Sequence, residues 1–185
     1  MIKVKGVIFA SAVLLFVLSR VVASSRPDVR RFESKKFGYT VEYPSDWHLQ
    51  SLSDVFSVEN FPPSKAVRGV RLPSGGAGIV IAASSQGTEE GPQRFDDWVK
   101  IGTAHQNVQE QRAFELQENK RTISITEVRA DCCGVPPFLQ YIEWFFQIDG
   151  HFFQASLVLW QGDPKADQLQ ETLKRVVLSV KVSRL

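Results

Sequence analysis

The chain has 185 residues, 43% hydrophobic and 23% charged, with 12 glycines and 9 prolines. That is the composition of one globular domain, and it excludes collagen-like, low-complexity and wholly disordered chains. The formal charge of +2 is unevenly placed: Lys3, Lys5 and Arg20 lie in the first 23 residues with no acid among them, and removing these three positive charges leaves −1 for the remainder. A nearly neutral body lacks the basic excess that neutralises phosphates, so nucleic-acid binding is disfavoured as the main role.

The N-terminus has the three parts of a secretory signal. Lys3 and Lys5 come first, an apolar run follows from Val7 to Leu18, and Val21-Val22-Ala23 places small residues for cleavage. Residues 1–23 are therefore the predicted signal peptide and Ser24 the mature start. A retained anchor is the alternative, but an apolar run of about a dozen residues, followed by Arg20, is shorter than the roughly 20 a spanning helix needs. Arg30-Arg31 follow the run rather than precede it, so they are no twin-arginine signal, and no cysteine near the cleavage site can take a lipid. The expected product is exported, to a periplasm or the extracellular space, with no stable membrane span.

Residues 24–36 (SSRPDVRRFESKK) are polar and charged and are expected to form a flexible tether, with a single domain over 37–185. In FGYTVEYPSDWHL, Phe37, Tyr39, Val41 and Tyr43 alternate with Gly38, Thr40 and Glu42, the period of a strand with one buried face. Pro44 with Ser45-Asp46 predicts a turn that returns Trp47 to the core. Asp54 to Asn60 and Ala66 to Leu72 are short strand candidates separated by Pro62-Pro63. Gly75-Gly76-Ala77-Gly78 then leads into the strand-like run Ile79 to Ala83. This glycine-rich stretch lacks the spacing and the following helix of a phosphate loop, so a turn is expected.

Phe95, Trp98, Val99 and Gly102 recur at helical spacing behind Pro92, with Asp96-Asp97 in the first turn, and Gly102 would let this helix lie close on a sheet. Val108 to Lys120 is polar and ambiguous, with Ala113, Phe114 and Leu116 as its apolar anchors, whereas Thr122 to Val128 has strand chemistry. The strongest signal runs from Phe138 to Trp160, where two apolar runs flank Asp149-Gly150, a pair suited to a type I′ turn. That turn predicts Ile148 opposite His151, Phe146 opposite Phe153, Trp144 opposite Ala155 and Ile142 opposite Leu157. Tyr141, Phe145, Phe152, Val158 and Trp160 occupy the other face. A final helix is expected with Asp163 as its N-cap, Pro164 at its first helical position, and Ala166, Leu169, Leu173, Val176, Val177 and Val180 as its apolar stripe. A sheet apolar on both faces needs cover on both, so the expected class is α+β: a three-layer α/β/α sandwich with a mainly antiparallel central sheet.

The strand FGYTVEYPSDWHL near the mature start, the central helix, Gly134-Val135-Pro136 ahead of a long aromatic hairpin, and the closing Ser179-Val180-Lys181-Val182 together resemble the PsbP-like family. Photosystem II extrinsic subunits and DcrB-type bacterial exported proteins share that fold. The resemblance covers essentially the whole mature domain. It implies an antiparallel sheet between helices and an accessory or binding domain without a catalytic constellation, with a thylakoid lumen as a further compartment if the source is photosynthetic. These motifs specify packing and turns rather than chemistry, so no functional residue is carried over.

A search for chemistry finds little that converges. His48, His105 and His151 are dispersed, with neither an HExxH nor a His-x-His pair, and solvated or satisfied roles are expected for them. Asp96-Asp97, Glu89-Glu90 and Glu110 suit helix-start and surface positions. No catalytic residue, cofactor or metal ligand is expected. Cys132-Cys133 is the unusual feature. In an oxidising compartment two cysteines are expected to pair, yet neighbours across a trans peptide have Cα atoms about 3.8 Å apart, short of the usual disulfide range of roughly 4.4 to 6.8 Å. A strained vicinal disulfide, a reduced or intermolecularly paired state, and a redox or soft-metal site all stay open. The functional expectation is a non-enzymatic binding or accessory domain whose partner is a protein or envelope component; the alternative is a small thiol or redox protein built on Cys132 and Cys133.

Overall fold

The computed structural model describes residues 28–50, 55–62, 72–85, 91–132 and 138–183. Its first strand, β1 (Val29–Ser34), falls where a flexible tether was expected, and pairs antiparallel with β2 (Tyr39–Pro44) from Val29↔Pro44 to Ser34↔Tyr39. The charged composition is misleading here, because an edge strand needs to bury only alternate residues. Phe32 and Ser34 turn inward while Arg30, Arg31 and Glu33 are exposed. Strand β2 buries Tyr39, Val41 and Tyr43 as predicted. The Pro44 turn is closed by the Trp47 amide donating to the Pro44 carbonyl at 3.0 Å, and Trp47 is buried ahead of the short β3 (His48–Leu49).

Strand β4 (Phe56–Glu59) lies within the predicted 54–60 segment, while the strand expected from Ala66 falls outside the described residues apart from Leu72, which is buried but not in a strand. The glycine-rich stretch is a turn into β5 (Gly78–Ser85): the Gly76 amide donates to the Pro73 carbonyl at 2.7 Å, and a Cβ at Gly76 would lie 2.7 Å from Pro73 Cδ. Helix α1 (Phe95–Thr103) follows, with Asp96 and Asp97 in its first turn.

The ambiguous segment after α1 is one long strand, β6 (Asn107–Glu118). It joins β7 (Arg121–Cys132) through Asn119 and Lys120, both at positive φ. Strands β8 (Leu139–Ile148) and β9 (His151–Trp160) are closed by Asp149 and Gly150, at φ 46° and 78°, and their pairing matches the predicted register at all four pairs. Helix α2 (Ala166–Ser179) precedes β10 (Lys181–Val182). Asp163 does not cap α2 directly. Its Oδ1 accepts from the Lys165 amide at 2.7 Å in a turn that leads into the helix.

Two antiparallel sheets result, β1-β2-β10 and β3-β4-β5-β9-β8-β7-β6. One face of the larger sheet forms the core with α2 and β2. Phe153 stacks on Phe146 at 5.2 Å and meets Tyr39 edge-on at 5.4 Å, while Phe56 packs against Phe32 and Tyr43 at 5.5 Å each. Burial of side chains of this size is worth about 2 to 3 kcal/mol apiece. The far end of β7 is fastened to this layer by Arg121, which donates to the carbonyls of Leu178 and Val180 at the C-terminus of α2.

The other face carries α1. A Cβ at Gly102 would sit 2.5 Å from the Phe145 ring, so the predicted close approach of helix to sheet is observed, and Phe95 packs on Phe152 at 5.9 Å. The fold is α+β with antiparallel sheets, as expected, but a full helical layer on this face is more than α1 supplies: none of its nine residues is fully buried. The face needs less cover than its aromatics suggested, because Thr126, Gln154 and Ser156 are interspersed with Phe145 and Phe152.

Candidate functional site

The period of two along β7 and β8 sends neighbouring side chains to opposite faces, and it leaves one buried carboxylate on each. Glu127 lies opposite Trp144, and Glu143 lies opposite Val128. The two are buried to 1% and 3% exposure.

Glu127 faces α2 and is fully committed. Its Oε1 accepts from Arg112 Nε at 2.9 Å and Arg129 Nε at 2.8 Å, and Arg112 Nη2 lies 2.9 Å from the same oxygen. Its Oε2 accepts from the Trp144 indole N–H at 2.8 Å and from Gln170 Nε2 at 3.2 Å. Arg129 reaches on to Gln170 Oε1 at 3.3 Å, so strands β6, β7 and β8 are tied to α2 through one carboxylate. A buried charge survives only where it is paired and its remaining lone pairs are satisfied, and this one meets both conditions.

Above this network runs an open groove of about 590 Å³, with Arg112, Phe114, Leu116 and Trp144 along the sheet and Asp167, Gln170, Glu171 and Lys174 along α2. The α2 residues are spaced to share one helix face. Phe114 meets Trp144 edge-on at 5.4 Å and lies 5.6 Å from the Arg112 guanidinium. The groove thus has an aromatic floor, a cation fixed in position by Glu127, and a mixed-charge wall. Such a surface suits recognition of an extended or planar partner.

Glu143 faces α1. Gln106 Nε2 donates to its Oε1 at 2.8 Å and Ser156 Oγ to the same oxygen at 3.3 Å, while Glu143 Oε2 and Gln106 Oε1 have no partner among the described residues. Both partnerless atoms are acceptors when the carboxyl is ionised, and a proton on Oε2 supplies a donor. Desolvation raises the Glu143 pKa, opposed by the hydrogen bonds from Gln106 and Ser156. Folding therefore favours the protonated acid. Its contribution to stability is complete below the unfolded carboxylate pKa and is lost as pH rises through the folded value, which lies above 4.5. Urea melts stepped upward from mild acid are expected to show wild type losing stability relative to Glu143→Gln over that interval. Parallel curves for the two proteins would refute the assignment.

Two carboxyls in contrasting environments are a familiar acid–base pairing, but these address opposite sides of the sheet and cannot act on one substrate. The three histidines lie on different elements. His48 is on β3, His105 follows α1, and His151 opens β9 with Nδ1 3.2 Å from the Asp149 carbonyl. Among the described residues no three of His, Cys, Asp and Glu are grouped to hold a metal ion, and no helix is long and apolar enough to cross a membrane. Cys132 ends β7 opposite Leu139. The predicted signal peptide, Glu89-Glu90, Cys133 and Gly134-Val135-Pro136 lie outside the described residues. Sequence reasoning missed both Glu127 and Glu143. The available signal was position: Glu143 interrupts the aromatic-rich run from Tyr141 to Phe146, between Ile142 and Trp144.

No family model matches the chain, and no curated protein matches it. A solved structure from Bacteroides thetaiotaomicron aligns with a TM-score of 0.54 at 13% identity over 84% of this chain, which spans 48% of that protein, and it supports the fold alone. The Saccharomyces cerevisiae Ran-binding protein Mog1p aligns at 0.48 and 10% identity, over 84% of this chain and 95% of that one. Cyanobacterial PsbP from Synechocystis aligns at 0.44 and 13% identity, over 90% of this chain and 99% of that one.

Proposed function

We propose that this chain is an exported, PsbP-like binding domain that acts without catalysing a reaction and whose partner is a protein or envelope component. The sequence motifs quoted above carry the family part of this reading, and the Lys3/Lys5, Val7 to Leu18, Val21 to Ala23 arrangement carries export. The observation that carries the binding part is the groove between β6 and α2. The polar groups on its floor and inner wall, Arg112, Trp144 and Gln170, are held by Glu127, so they define a shape for a partner to fit.

The competing reading places thiol chemistry at Cys132 and Cys133, and one double variant separates the two. The domain is purified from its native envelope after crosslinking, and the captured protein is compared for wild type and Cys132→Ser/Cys133→Ser. A binding domain is expected to retain its captured partner with a modest loss of stability. Loss of function outright, with altered thiol status of envelope proteins, would favour the redox protein.

A further inference from the structure

Helix α1 sits lightly on its face of the sheet. None of its nine residues is fully buried. Phe95 packs on Phe152, and Gly102 lies against the Phe145 ring. The Trp98 indole N–H is shielded from water yet has no partner among the described residues. A buried donor without an acceptor favours the lifted helix, where water supplies one. A further tie is Gln106. Its amide donates to the Thr103 carbonyl at 3.1 Å, so it moves with the helix, and its side chain reaches Glu143 on β8.

Gln106 Nε2 at 2.8 Å and Ser156 Oγ at 3.3 Å both donate to the same oxygen of Glu143, Oε1. That makes Oε1 the carbonyl oxygen of the acid and leaves Oε2 as the seat of a proton. The other atom of the pair without a partner is Gln106 Oε1. A carboxylic acid and a primary carboxamide are complementary: the amide N–H donates to the acid carbonyl while the acid O–H donates to the amide carbonyl, closing a ring of two hydrogen bonds. One proton on Oε2 thereby satisfies both oxygens. Without it the two groups keep a single hydrogen bond, and two buried acceptors stay unpaired.

We propose that Glu143 and Gln106 form a pH-operated latch on α1: the protonated acid closes the two-bond ring and holds the helix over Phe145 and Phe152, and loss of the proton to water opens the ring and lets the helix lift. Burial raises the carboxyl above its ordinary value of 4.5, so the latch is closed in acid and opens as pH rises. The strand residues beside Glu143 on this face are neutral: Val128 and Ala130 on β7, Gln154 and Ser156 on β9. Tyr141 shares the face, and desolvation and the Glu143 charge both raise its phenol, so it stays uncharged over the range in which the acid titrates. On the helix side Asp96, Asp97, Lys100 and His105 are exposed, as is Glu110 on β6. His105, next to Gln106, is the group among these whose ordinary titration lies near neutrality. The latch acts on the face opposite the groove between β6 and α2, and it stands whether or not that groove binds a partner.

The test is amide hydrogen exchange of the protein from about pH 4 to about pH 8, with each rate divided by the intrinsic rate at that pH. Opening of α1 is expected to rise by up to about tenfold per pH unit between the ordinary carboxyl value and the folded one, then to level off. Amides of β8 and β9 are expected to keep their protection. Glu143→Gln puts an amide N–H where the acid O–H stood, so α1 is expected to stay closed throughout. Gln106→Leu is expected to raise α1 opening at low pH about tenfold, the worth of one buried hydrogen bond. Infrared spectra with isotope-labelled glutamate are expected to show a protonated carboxyl band, absent from Glu143→Gln, that fades over the same interval. His105→Asn is expected to keep the wild-type profile. A flat wild-type profile, one unchanged by Glu143→Gln or by Gln106→Leu, one abolished by His105→Asn, a missing carboxyl band, or equal loosening of β8 and β9 would overturn the latch.

Discussion

Replacing Trp144 with alanine is expected to remove about 3 to 5 kcal/mol of stability, a large share of the 5 to 15 kcal/mol typical of a domain. The side chain is 2% exposed, sits opposite Ala155 on β9 and Glu127 on β7, and meets Phe114 edge-on. Truncation opens a cavity on the floor of the groove and also strips Glu127 Oε2 of its 2.8 Å donor. Trp144→Phe separates the two losses. It keeps most of the ring volume and removes only the donor, at a cost of about 1 to 3 kcal/mol. Urea midpoints measure both, and an alanine variant that unfolds with wild type would show that Trp144 is not buried.

Glu127→Ala is expected to cost about 3 to 5 kcal/mol, the range for removing one partner of a buried ion pair. The loss comes from what stays behind: the half-buried Arg129 and Arg112 face each other without the intervening charge, and the indole N–H loses its acceptor. Arg112 is 49% exposed and can turn to water, whereas Arg129 is 26% exposed and is more confined, so Arg129 carries most of the penalty. Combining Glu127→Ala with Trp144→Phe is expected to cost less than the two separate losses added, because both remove the same hydrogen bond. Strict additivity in a double-mutant cycle would mean that the indole and the carboxylate do not interact.

The β8–β9 hairpin was legible because two independent signals agree there. Asp149-Gly150 demands positive φ at adjacent residues, and the flanking aromatics choose the register that buries them together. Gly102 was legible for a related reason, since a helix face that is otherwise apolar has little use for glycine except close approach. Strands β1 and β6 were not, because an edge strand with one or two inward residues shows no apolar period to read. In β6 only Phe114 and Leu116 mark the inner face, and in β1 only Phe32 does. Glu127 and Glu143 were missed because a carboxylate's burial depends on partners far along the chain, Gln170 on α2 and Gln106 after α1.

Strand β2 lies between β1 and β10, and Ser179 Oγ meets the backbone of Glu42 from 137 residues away. Residues of β2 thus find their last neighbours only in Ser179, Lys181 and Val182. A chain emerging from the ribosome at about 5 to 20 residues per second waits many seconds before Lys181 and Val182 can pair with Thr40 and Tyr39. Contacts of such long range also form slowly once the chain is complete. A chain that folds as it is made therefore keeps this small sheet open until residues 179–182 are in place.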